Sequence, residues 1–190
     1  SDVVFTLSSN DSGETTVTST LTFTDANWDT PQTVTVTGVD DDIIDGEQGS
    51  TITISVDDPN SDNDFDTVAD QTVTTTTTDD DVAGFTIVES GGSTSADESG
   101  TTDTFTIVLD AQPASDVVFD ISSSDTGEAT VNTPVTFTNA NWDTPQTVTV
   151  TGVDDDIIDG TISSTLTIAI IDAISDDNFD GVADQTVTAT

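Results

Sequence analysis

The chain has 190 residues, 38 of them acidic, and not one Lys, Arg, His, Cys, Met or Tyr, which gives a net charge of −38. No side chain can neutralise a phosphate, which excludes nucleic acid and anionic lipid surfaces as partners. No apolar run approaches the roughly 20 residues that cross a bilayer as a helix, so membrane insertion is not expected. Without Cys or Lys there is neither a disulfide nor a Lys–Asn crosslink, and the fold must rest on its core or on bound cations.

Length alone fits one or two domains; an internal repeat decides for two. The 21 residues Ala26–Gly46 recur unchanged as Ala140–Gly160, at an offset of 114, and the register holds without a gap from Ser1/Ser115 to Thr74/Thr188. Such a period is a whole domain rather than the roughly 20–50 residues of a solenoid turn. The expected units are 1–81 and 82–190, the first lacking its leading strands because nothing in it answers to 82–114. A start in mid-repeat reads as an excerpt of a longer protein. Near-identical domains in series supply length, spacing or avidity more often than separate chemistries.

Thr or Ser alternating with Val, Ile, Leu or Phe, bounded by Gly, Pro, Asn and Asp, predicts strands. In the first unit these are Asp2–Leu7, Leu21–Thr24, Thr33–Thr37, Thr51–Val56 and Gln71–Thr78. In the second they are Phe85–Val88, Thr104–Leu109, Asp116–Ile121, Val135–Thr138, Thr147–Thr151, Thr165–Ile171 and Gln185–Thr190. No segment of comparable length has helical periodicity, and the strand pattern overrules the disorder that high acidity with few aromatics suggests. The fold class is therefore all-β, with antiparallel sandwiches in tandem, apolar faces inward and Thr faces outward. Asp2–Leu7 is expected to flank a missing strand and to leave an open sheet edge. Upstream residues, or a strand from another copy of the chain, would fill it.

Taking successive strands as antiparallel sorts the acids by end. Glu98, Asp125, Glu128, Asp154, Asp155, Asp156 and Asp159 collect at one end of the second unit, and Asp110, Asp143 and the 176–184 loop at the other. In the first unit Glu14, Asp40, Asp41, Asp42, Asp45 and Glu47 share an end with the linker Asp79, Asp80 and Asp81. That linker leads straight into the next unit, so acidic loops are expected to converge where the domains meet. Crowded carboxylates repel unless neutralised, and Ca2+ suits them because it takes 6–8 oxygen ligands and no softer donor is present. Solvated acidic loops on a salt-adapted surface are the plainer alternative.

A second acidic stretch carries Asp176, Asn178, Asp180 and Asp184 at the spacing of positions 1, 3, 5 and 9 of a Ca2+ loop, with Gly181 at position 6. It has Val187 where the bidentate acid belongs. Its counterpart carries Asp62, Asp64, Asp66 and Asp70, with Thr67 replacing the Gly of the sharp turn. The alternative is an acidic connection pinned by an inward Phe65 or Phe179. Trp28 and Trp142, in register within Asn-Trp-Asp-Thr-Pro-Gln, read as core plugs rather than sugar-stacking platforms. Thr ladders such as 72–78 read as solvent faces, where Thr has good strand propensity, rather than as an ice-binding array.

Glu98-Ser-Gly before a strand, Phe137-Thr-x-x-Asn-Trp, Gln146-Thr-Val-Thr-Val, Asp154-Asp-Asp-Ile-Ile-Asp-Gly, and Asp79-Asp80-Asp81 leading into Ala83-Gly occur in a specific order and spacing. In these the chain resembles the Calx-β superfamily, especially the tandem Calx-β-like units of large bacterial surface adhesins. The resemblance implies a seven-stranded Ig-like sandwich that binds Ca2+ at one end, near the following domain. It implies ligands at Asp40, Asp41, Asp45 and Glu47 with Glu14 and the Asp79–Asp81 run, and at Glu98, Glu128, Asp154, Asp155 and Asp159, with Glu89 a rival for Glu98. Thr161 stands where the first unit has Glu47, which weakens the second set.

The expected function is a Ca2+-binding, rigid spacer of a secreted or cell-surface adhesin, with neighbouring repeats as partners. A self-assembling filament or surface-layer subunit completed by strand donation is the alternative, and a glycan- or ice-binding module a lesser one. No enzyme is expected, since the acids lie in repeated terminal loops without an aromatic-lined cleft.

Overall fold

A computed structural model describes residues 1–158 and 160–190; Asp159, one of the expected ligands, lies outside them. The described residues form fourteen strands and five short 3₁₀ turns. They cluster into two compact units, Ser1–Asp41 with Asp45–Asp80, and Asp42–Ile44 with Asp81–Thr190. No helix among them is long and apolar enough to cross a membrane.

The first unit contains β1 (Val3–Ser9), β2 (Thr15–Val17), β3 (Thr20–Phe23), β4 (Val36–Gly38), β5 (Gln48–Val56) and β6 (Gln71–Thr77). The second contains β7 (Phe85–Glu89), β8 (Thr102–Leu109), β9 (Val117–Ser123), β10 (Ala129–Val131), β11 (Val135–Phe137), β12 (Gln146–Gly152), β13 (Ser164–Ile170) and β14 (Gln185–Ala189).

In the second unit two antiparallel sheets, ordered β10-β12-β8-β7 and β11-β9-β13-β14, face each other as a sandwich. Strand alternation dictates the layer between them. Phe105 and Ile107 of β8, Phe119 of β9, Phe137 of β11, Val148 and Val150 of β12, and Leu166 and Ile168 of β13 are all fully buried. The Phe119 ring meets Phe85 edge-on at 4.9 Å and Phe137 at 5.8 Å, the geometry aromatic quadrupoles favour. Between β10 and β11 the chain passes from one sheet to the other at Thr133–Pro134, where Pro offers no N–H to a ladder. The expected strand at 135–138 is thus the second half of a strand shared by both sheets.

In the first unit one sheet is complete, β3-β1-β5-β6, but opposite it stands only the pair β2-β4. Its buried apolar residues are Val3, Leu7 and Ile52. Three expectations are corrected here. β1 is not an edge strand, because it pairs with β3 (Val3↔Phe23) and with β5 (Leu7↔Ile54). The open edge belongs to β4, which pairs with β2 alone among the described strands. The expected strand 33–37 therefore forms ladder only at Val36–Gly38, since in the second unit the same sequence gains its length by pairing with β8. Trp142 packs against the core as a plug, but Trp28 is 71% exposed.

Candidate metal centre

The acidic end of each unit is built on the same turn. Asp11 Oδ1 accepts from the Gly13 N–H at 3.1 Å, and Asp125 Oδ1 from the Gly127 N–H at 3.0 Å. Each turn delivers a glutamate to the start of the following strand. The Glu14 carbonyl accepts from Val39 N–H at 2.8 Å and the Glu128 carbonyl from Val153 N–H at 2.9 Å. The Thr77 hydroxyl of β6 adds a further bond to the Glu14 carbonyl at 3.0 Å. Both glutamates are half-buried, and each carbonyl is held by the residue that follows the neighbouring strand, with Thr77 adding a second hold at Glu14.

Around Glu14 the first unit gathers aspartates. Asp79, just after β6, accepts through Oδ2 from the N–H groups of Asp45 (3.0 Å) and Gly46 (2.7 Å), and Gly46 has the positive φ of 74° that this turn requires. One carboxylate thus clamps the Asp45-Gly46 turn to the end of the strand. Desolvation, then the charges of Asp45, Asp41, Asp11 and Asp79, push the Glu14 carboxyl above its ordinary 4.5. The protein supplies no basic side chain to offset this repulsion. Asp40 and Glu47 are exposed, and Asp42 and Asp81 cluster with the second unit.

In the second unit Glu98 and Glu128 line one cleft of about 430 Å³ with Asp97, Gly160 and Thr161. Asp97 lies below the ordinary carboxylate range because the hydroxyl and N–H of Ser99 donate to it. Asp155 is half-buried and accepts from Ile157 N–H at 2.7 Å; Asp154 and Asp156 are exposed. Glu89 accepts from the Thr94 hydroxyl at 2.8 Å.

The second acidic stretch has different geometry. Asp176, almost fully buried, caps the 3₁₀ turn Asp177–Phe179 through Oδ1 to Asn178 N–H (3.0 Å), and its Oδ2 accepts from Ser115 N–H (2.7 Å). Phe179 is fully buried beneath it. Asp62 makes the same cap, accepting from Asp64 N–H at 3.1 Å, which holds its carboxyl below the ordinary value. Asp180 is pushed up by desolvation and by Asp172, Asp177 and Asp176. Asp64, Asp66, Asp70, Asn178 and Asp184 are exposed.

The donor chemistry is that of a hard cation, carboxylate oxygen without imidazole or thiolate. The geometry is not closed, since no three acidic side chains among the described residues lie close enough to hold one ion. Of the residues expected as ligands, Asp41, Asp45 and Asp79 are near enough for their charges to act on Glu14, without forming one ion-holding group; Asp11, which also acts on Glu14, and Asp97 had no ligand role in the sequence reading. Asp11 carries a signal in the repeat, recurring in register as Asp125.

No protein-family model matches the chain, and no curated protein sequence matches it. Among solved structures, domains 4 and 5 of the S-layer protein SbsC are similar at 17% identity and a TM-score of 0.43, over 98% of this chain and 69% of that one. A longer SbsC structure, domains 1–6, gives 17% identity and a TM-score of 0.44, and the chain spans 19% of its length. The calcium-binding domain CBD12 of CALX1.1 is similar at 12% identity and a TM-score of 0.39, over 88% of this chain and 66% of that one.

Proposed function

We propose that the chain is a Ca2+-stabilised structural module of a secreted or cell-surface protein, a stiff spacer of the adhesin kind whose partners are neighbouring repeats. The observation that carries this reading is the half-buried Glu14 carboxyl, raised by desolvation and by four surrounding aspartates in a chain without a basic side chain. Glu14, Asp41 and Asp45 do not lie within reach of one ion as they stand and would have to close on a cation there, with Asp79 clamping their turn, and Glu98 and Glu128 would contribute in the second unit. A bound divalent cation supplies the positive charge the sequence omits. The turns at Asp11 and Asp125 fix the glutamate backbones, so the ligands arrive partly ordered. The capped loops at Asp62 and Asp176 are left out of this proposal, because their leading carboxylates already accept from backbone N–H groups.

Extracellular Ca2+ sites commonly have Kd around 10⁻⁴–10⁻³ M. At a hundred times Kd one site adds about 2.7 kcal/mol, a large part of the roughly 5–15 kcal/mol that holds a domain folded. For a chain of this length that corresponds to a rise of about 5–10 °C in Tm. Thermal unfolding in millimolar CaCl2, in MgCl2 and in EGTA, at matched ionic strength, tests the reading. A rise specific to Ca2+ is expected; equal melting in all three would end it.

A further inference from the structure

An aspartate followed by glycine can close on itself. The glycine nitrogen attacks the aspartate Cγ, the carboxyl oxygen leaves as water, and a succinimide forms. Water then opens the ring. Breaking the bond from nitrogen to Cγ restores aspartate, whereas breaking the bond to the main-chain carbonyl carbon leaves isoaspartate, with the chain routed through Cβ and Cγ. One water leaves and one is taken up, and nothing is oxidised. The chain carries three such dipeptides, Asp45–Gly46, Asp159–Gly160 and Asp180–Gly181. Asp159 lies outside the described residues, so its site is set aside.

The other two are both exposed, and a Cβ on either glycine would meet nothing within 4 Å, so neither is shielded by its surroundings. They differ at the attacking nitrogen. Gly46 N–H donates to Asp79 Oδ2 at 2.7 Å, and Asp45 N–H donates to the same oxygen at 3.0 Å. Gly181 N–H makes no hydrogen bond among the described residues, although both neighbours do. Asp180 N–H donates to the Asp177 carbonyl at 3.4 Å, and Val182 N–H to the Phe179 carbonyl at 3.1 Å. Asp180 has a ψ of −27° and must turn to bring its Cγ to the nitrogen. An unbonded glycine with open space around it allows that turn. In the first unit Thr67 stands at this position, and its branched Cβ hinders the same attack on Asp66.

We propose that Asp180–Gly181 is a site of spontaneous isoaspartate formation, and that the Asp79 carboxylate suppresses the same reaction at Asp45–Gly46 by holding the glycine nitrogen. The consequence is structural. Isoaspartate inserts one more main-chain carbon between Phe179, which is fully buried, and Val182, which packs against the same core. The lengthened loop cannot seat both side chains as before, so the second unit loosens with age while the clamped turn of the first is spared. No bound cation is needed for either half of this proposal.

The test incubates the full chain for weeks at neutral pH in EGTA. Isoaspartate is counted by an isoaspartyl methyltransferase and located by mass spectrometry of peptic peptides, since the chain has no Lys or Arg for trypsin. Isoaspartate is expected first at 180, and about tenfold or more slower at 45, as for a nitrogen held by a hydrogen bond to a carboxylate. Gly181→Thr should abolish it at 180. Asp79→Ala should raise the rate at 45 toward that at 180, whereas Asp79→Asn, which keeps an acceptor oxygen, should retain most of the protection. The unaltered chain decides even where Asp79→Ala loosens the first unit, because it compares both sites in one molecule. Equal rates at 45 and 180, no isoaspartate at 180, or a rate at 45 that Asp79→Ala leaves unmoved would overturn the proposal.

Discussion

Residues 26–44 and 140–158 have one sequence and two structures. In the second unit Val148 and Val150 are fully buried within a seven-residue strand, and Trp142 packs on the core. In the first, the equivalent strand is three residues long, Val36 is 42% exposed and Trp28 is largely in solvent. Propensity and alternation are identical, so neither decides the outcome. Strand length and burial are set by whether a β8-like neighbour supplies a ladder and an apolar cover. Strand propensity is context in this sense: it reports fit to a half-buried surface, and here the surface is present once and absent once.

Matched substitutions across the repeat sharpen the contrast. Phe119→Ala removes a fully buried ring in contact with two others and should cost about 3–5 kcal/mol. Phe5→Ala, at the wall of an open groove, should cost well under half of that in denaturant titration. Next comes Gly152→Ala, whose new Cβ would meet the Asp97 carbonyl oxygen at 2.1 Å, so the backbone must shift at a cost of about 1–3 kcal/mol. The identical glycine Gly38 has only the Thr77 methyl at 3.4 Å, and Gly38→Ala should be near neutral in the same assay. Val150→Ala should cost about 1.5–2 kcal/mol from two buried carbons, whereas Val36→Ala should stay within about 0.5 kcal/mol. Equal effects within any of these pairs would break the comparison.

The smallest effect is one of pH. A Glu14 carboxyl raised above 4.5 means that the folded state binds more protons than the unfolded chain across that interval. Stability in EGTA should therefore rise as pH falls through the folded value toward 4.5, and then level off. Asp62, Asp97 and Asp103, all held low by hydrogen bonds, act oppositely and withdraw stability as pH drops below 3.8. Melting temperature followed against pH should pass through a maximum on the acid side. Glu14→Gln should flatten its neutral limb.

Much of this fold was legible because its signals are local. Thr/Val alternation marks strands such as β8, β12 and β13, and the repeat transfers each reading to a second copy. The strand directions followed from short connections. Less legible was whatever depends on a partner. Asp2–Leu7 looked like the exposed edge, yet Phe5 and Thr6 find ladder partners on both sides within their own sheet. Thr33–Thr37 looked like a full strand, and Trp28 like a core plug, because their residues are identical to Thr147–Thr151 and Trp142; the missing counterpart of 82–114 was legible in the repeat, but its effect on their ladder and burial is not written in their own residues. At the acidic ends, the aspartate clusters read as candidate ligands. That Asp79 clamps the Asp45-Gly46 turn, while Asp176 caps a 3₁₀ turn, depends on backbone N–H groups that composition does not reveal.

The central claim is that the carboxylates around Glu14 need a divalent cation, and calorimetric titration of the whole chain with Ca2+ tests it most directly. The account predicts a saturable heat at high ionic strength, with Kd around 10⁻⁴–10⁻³ M, not reproduced by Mg2+ and weakened by Glu14→Gln. A featureless titration, or one that Mg2+ and the Glu14→Gln chain reproduce, would contradict it and leave these aspartates as solvated surface charge.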